Sequence, residues 1–70
     1  MTDIKRNKRG EVLFPVEELE AADQDMQGFC IACGALRDGC EPGAQKYQCE
    51  ECGEFRVYGA GAIAIMGLTR

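Results

Sequence analysis

Cys30-Ile31-Ala32-Cys33-Gly34 and Cys49-Glu50-Glu51-Cys52-Gly53 are two copies of one short motif, Cys-x2-Cys-Gly. The segment between the two cysteine pairs, residues 34–48, holds fifteen residues, the short end of the spacing that reads as a tetrahedral metal site built from such pairs. In such a motif the loop turns so that backbone N–H groups face the two sulfurs, and the glycine takes dihedrals that other residues resist. The chain has no histidine, so the expected ligand set is all-cysteine: Cys30, Cys33, Cys49 and Cys52. Four thiolates select zinc or, less often, iron. They also fill a tetrahedral coordination sphere. No position is left for water, and the expected cofactor is one structural Zn2+ rather than a Lewis acid. The competing reading of Cys-x2-Cys, a redox pair, belongs with a single motif at a helix start inside a βαβ unit. This chain is too short and too rich in turn residues for that unit.

Seventy residues allow one small domain. A core of that size supplies about 3–5 kcal/mol, whereas structural zinc contributes about 10–16 kcal/mol in small zinc-finger peptides. Five cysteines also suit a secreted disulfide scaffold. Against that, the count is odd, four of the five form close pairs, and the basic N-terminal residues run into Glu11 without an apolar stretch. The expectation is a cytoplasmic protein with reduced thiols. No segment approaches the roughly 18 apolar residues that span a bilayer, so no membrane partner is expected.

The formal charge of −4 disfavours general binding to nucleic-acid backbone. Its distribution is uneven. Residues 1–10 carry Lys5, Arg6, Lys8 and Arg9 against Asp3 and read as a flexible basic tail. Residues 11–28 form an acidic segment with Glu11, Glu17, Glu18, Glu20, Asp23 and Asp25 and no basic residue. In this segment Val12–Phe14 is either a short strand or a hydrophobic anchor. Pro15 suits the first helical position and Glu17 and Glu18 the first turn, which predicts a short helix at about Pro15–Asp23, with Gly28 closing the segment. Residues 29–70 hold the metal region. There Gly39-Cys40-Glu41-Pro42-Gly43 reads as a turn and Phe55-Arg56-Val57-Tyr58 as a return strand. Ile63–Met66 reads as a further strand, because β-branched Ile63 and Ile65 alternate and three glycines between Gly59 and Gly67 penalise a helix.

Cys40 lies outside both motifs. It reads as a small apolar filler; a reactive thiol, a substitute ligand or a disulfide partner are the alternatives, and acidic Asp38 and Glu41 beside it disfavour a thiolate. Ile63, Ile65 and Met66 either complete the core or expose an apolar edge for a protein partner. Lys5, Arg6, Lys8 and Arg9, with Lys46 and Arg56, are the candidates for phosphate contact. An enzyme is not expected: the chain has neither histidine nor serine, and the metal site is closed.

Residues 29–58 resemble the zinc ribbons. Phe29-Cys30-x2-Cys33-Gly34, Gly39-Cys40-Glu41-Pro42-Gly43-Ala44, Tyr47-x-Cys49-Glu50-x-Cys52-Gly53 and Val57-Tyr58-Gly59-Ala60 look like small zinc-ribbon proteins of phage and prophage genomes. In those proteins a valine or isoleucine is usual where Cys40 stands, an aspartate where Gly43 stands, and paired glutamates where Gly61 and Ala62 stand. Residues 1–28 lie outside the resemblance. It implies zinc ligation by the four paired cysteines and no particular activity. The resulting expectation is a small, metal-stabilised, mainly β domain: a zinc ribbon of two knuckle hairpins plus a third strand, preceded by a short helix. Its expected role is non-enzymatic and works through a protein partner, with nucleic-acid binding as the alternative.

Overall fold

A computed structural model describes residues 5–70. Its elements run α1 (Val16–Gln24), β1 (Gln27–Cys30), β2 (Leu36–Asp38), β3 (Val57–Gly59) and α2 (Ala60–Ile65). The strands form one antiparallel sheet in the order β2-β1-β3. To the expected N-terminal helix and short strands the described residues add a C-terminal helix, so helices of nine and six residues stand beside strands of four, three and three.

The central strand explains the layering. Phe29 on β1 pairs with Tyr58 on β3, while Cys30 pairs with Val57, so the two faces carry different side chains. Phe29 and Tyr58 join a cluster that contains Val12, Phe14, Leu19, Ile31, Ile63 and Leu68. Cys30 and Val57 join a second cluster with Cys40, Ala44 and Cys49. The helices therefore cover one face, and the metal motifs and the turn around Cys40 cover the other.

Val12–Phe14 is an anchor rather than a strand. Val12 donates to the Ile31 carbonyl at 2.8 Å and Phe14 to the Leu68 carbonyl at 2.9 Å, and both side chains are buried. The Phe14 ring stacks on Phe29 with centroids 4.8 Å apart. Helix α1 begins one residue later than its proline suggested: Pro15 is the extended residue before the helix, and its carbonyl accepts from Glu18 and Leu19. Leu19 and Ala22 are the buried residues of the helix. Its end is made by Met26, at φ 55, and not by Gly28, which already belongs to β1. Of residues 1–10, expected as a flexible basic tail, the described part from Lys5 to Gly10 is folded back in a turn. Asn7 Oδ1 accepts from the backbone of Arg9 and Glu11, and Leu13 donates to the Lys5 carbonyl at 2.8 Å. Residues 1–4 of that segment lie outside the described residues.

The strand expected at Ile63–Met66 is instead part of helix α2 and its cap. The alternation of Ile63 and Ile65 misleads, since Ile63 is fully buried and Ile65 is 90 % exposed. Two of the three glycines lie outside the helix and serve its ends. Gly67, at φ 76, follows the last turn; its N–H bonds to the Ala64 carbonyl, and Leu68 N–H bonds back to Ile63. That pair of bonds is the Schellman closure, and its usual hydrophobic contact is supplied here by Leu68 and Ile63 in one cluster. At the other end the Pro42 carbonyl accepts from Ala62 at 2.8 Å, satisfying a first-turn donor. Gly59 makes that approach possible: a Cβ there would overlap the Glu41 and Pro42 carbonyl oxygens.

Gly59→Ala is therefore expected to lower the stability of the zinc-loaded protein by about 2 kcal/mol or more, as overpacking against immobile backbone. Gly67→Ala, which strains only one turn, should cost about 1 kcal/mol. Urea unfolding of the two variants beside the parent chain checks the order.

Candidate metal centre

Both cysteine motifs fold into the same backbone circuit. In the first, Cys30 N–H bonds to the Ala35 carbonyl at 2.9 Å and Gly34 N–H returns to the Cys30 carbonyl at 2.7 Å. In the second, Cys49 N–H bonds to Glu54 at 2.8 Å and Gly53 N–H returns to Cys49 at 2.9 Å. Gly34 and Gly53 take φ 86 and 78, the left-handed turn that the motif requires at this place. The first knuckle grows out of β1, and the second is tied to β3 through the paired Tyr47–Val57 bridge. Pairing of β1 with β3 thus brings the two loops face to face.

The four sulfurs meet across the gap. Cys30 Sγ lies 3.7 Å from Cys52 Sγ, and Cys33 Sγ lies 3.6 Å from Cys49 Sγ. All four donor atoms fall within 4.8 Å of one another. A tetrahedral centre with Zn–S bonds of about 2.3 Å has S–S edges of about 3.8 Å, so the cluster has the dimensions of a four-thiolate zinc site. The separations are far beyond the roughly 2.05 Å of a disulfide. These four residues coordinate a single structural Zn2+. Cys30 and Cys49 are buried, Cys33 is half-buried and Cys52 is exposed, so one edge of the site reaches the surface.

Backbone N–H groups tune the sulfurs before metal arrives. The N–H groups of Cys52 and Glu51 converge on Cys49, the latter at 3.4 Å, and bring its thiol down to about 7. Burial pushes the Cys33 thiol up to about 12, against a weaker opposing pull from the Ala35 N–H. Cys33 must therefore lose its proton to the metal, and loading is coupled to proton release.

Cys40 is fully buried and is not one of the four clustered ligands; it shares the core cluster of Cys30 and Cys49, lies against Gly28 of β1 and is bonded through its N–H to the Met26 carbonyl. Burial raises its thiol pKa, with Arg37 opposing and Glu41 adding to the shift. This is the environment of a filler.

The other candidate residues separate. Ile63 is core, whereas Ile65 and Met66, 41 % exposed, face outward on α2 and its cap. Arg6 is engaged by the fold, donating at 2.8 Å to both the Gly10 and Ala32 carbonyls. Arg56 lies 3.5 Å from Glu11 in the one ion pair among the described residues. Lys5, Lys8, Arg9 and Lys46 are exposed, Lys46 at φ 58. Arg37 was not singled out by the sequence. Its guanidinium donates to the Gln48 carbonyl at 2.6 Å and lies 5.8 Å from the Tyr47 ring centre, joining β2 to the approach of the second knuckle. No sequence signal marks it, because its partner is a backbone oxygen eleven residues away. No helix among the described residues is long and apolar enough to cross a membrane.

Comparison with protein-family models, with curated proteins and with solved structures finds no significant match.

Cys52→Ser is expected to abolish stoichiometric zinc binding in native mass spectrometry and to leave a chain without a cooperative melt. Cys40→Ala should keep one zinc and lose about 1 kcal/mol, the cost of one vacated heavy-atom volume. Acidification should release the metal. Bound thiolates have pKa values depressed below those of free thiols, so the stabilisation is complete above the free-thiol range and is lost as pH falls. Zinc release followed with a chromogenic chelator checks this, and release on raising the pH would contradict it.

Proposed function

We propose that this chain is a non-enzymatic zinc module that acts through protein–protein interaction, as an adaptor or modulator of phage type on a host complex. The observation that carries the reading is Ile65, an isoleucine 90 % exposed on a short helix and followed by exposed Met66. The fold has little core to spend and leaves these two side chains outside it. Burying one such side chain is worth about 1.5–3 kcal/mol, which gives a partner an anchor. The closed four-thiolate site supports a non-catalytic role, since its ligands fill the metal's coordination sphere. The phage-type reading rests on the sequence resemblance alone. Nucleic-acid binding ranks second, because Arg6 and Arg56 already hold carbonyl and carboxylate partners within the fold.

The test is capture from lysate with a photo-crosslinking residue beside Ile65, paired with gel shifts across salt. The expected result is saturable capture of one protein that Ile65→Asp reduces roughly tenfold or more at unchanged melting temperature. Nucleic-acid binding near physiological salt, abolished by Lys8→Ala with Arg9→Ala and showing a steep salt slope, would replace this reading with the second.

A further inference from the structure

The surface beside Ile65 specifies more than stickiness. A cleft of about 300 Å3 runs between α1 and α2, lined by Val16, Leu19, Glu20 and Asp23 from α1 and by Ala60, Gly61 and Ala64 from α2. A second hollow of about 290 Å3 lies on the other flank of α2, between Pro42 and Met66, shares Gly61 and has no charged lining residue. Helix α2 is thus a low ridge with an apolar depression on each side and acid on one side only.

The acid of α1 takes part in no ion pair among the described residues. Among the described residues the one ion pair is Arg56–Glu11, so Glu17, Glu18, Glu20 and Asp23 of α1 have no cationic partner there. Glu17 and Glu18 suit the first turn of a helix. Asp23 does not. It sits in the last turn, where the helix dipole favours a cation, and α1 places no basic residue there.

We infer that the α1–α2 surface docks a basic amphipathic helix of a protein partner, its apolar face across the α2 ridge and its Lys or Arg side chains along α1. The inference rests on the protein-interaction reading above and names the class of partner. Charge complementarity chooses the basic edge. The backbone chooses the helix: α1 and α2 bond their own amides, so this surface offers no strand edge. An extended segment would bury unpaired N–H and C=O groups against it, whereas a helix brings its own satisfied backbone. The uncharged flank beyond Ile65 receives the apolar side of that helix, and the placement of Asp23 becomes useful once a partner's cation lies over it.

The experiment is fluorescence anisotropy with zinc-loaded full chain at physiological salt. Its three labelled model peptides are a Leu/Lys amphipathic helix, a Leu/Glu counterpart, and a Leu/Lys scramble of equal composition without an apolar face. The expected result is saturable binding of the Leu/Lys helix, at least tenfold tighter than either control. Asp23→Lys with Glu20→Lys should weaken it tenfold or more while the melting temperature stays level or rises, and Ala64→Arg should block it. Equal binding of the scramble would overturn the proposal, leaving only diffuse charge attraction. Equal binding of the Leu/Glu helix would overturn the basic class and leave the protein-interaction reading standing. If no peptide binds while Ile65-dependent capture persists, this occupant is wrong and the parent reading survives; loss of that capture as well removes both.

Discussion

Everything in this fold depends on four sulfurs being held within 4.8 Å of one another. Two short loops cannot keep such a cluster together as free thiols, and each strand of the sheet that positions them is four residues or fewer. Zinc supplies the missing cohesion, because a tetrathiolate centre binds with more free energy than a core of this size yields. The matching backbone circuits of the two knuckles show how little the rest of the chain has to contribute locally: each loop sets its own cysteines, and β1–β3 pairing sets the distance between loops.

The metal also explains how the chain divides its apolar residues. Cys30, Cys40, Cys49, Ala44 and Val57 make a small sulfur-rich layer on one face of the sheet. The larger aliphatic and aromatic residues collect on the other, where α1, α2 and the Val12–Phe14 anchor close over Phe29 and Tyr58. Residues from both ends of the sequence take part, since Phe14 bonds to Leu68 and Arg70. The acidic segment is therefore a structural layer as well as a charged surface, and its helix lies where it forms one wall of the cleft beside α2.

Some of this was legible from residue order. The ligand set followed from spacing and from the lack of histidine, and the α1 helix followed from Pro15, Glu17 and Glu18. The α2 helix did not, although a signal was present. Gly67 followed by Leu68, after an alanine-rich run, is the signature of a Schellman end, where a glycine closes a helix and does not penalise it. Arg6 and Arg56 looked available for phosphate because a sequence does not show that Ala32, Gly10 and Glu11 will hold them.

By itself the sequence determined the metal centre and the position of the first helix, since thiolate chemistry and helix-start preferences act over a few neighbouring residues. Only the tertiary structure decided which apolar residues remain outside. Ile63 and Ile65 are two positions apart and chemically identical, yet one is fully buried and the other almost fully exposed. That difference comes from helix α2 being seated by the Pro42 carbonyl and by the cluster that joins Ile63 to Val12, Phe14 and Leu19, contacts between distant parts of the chain that local pattern does not encode.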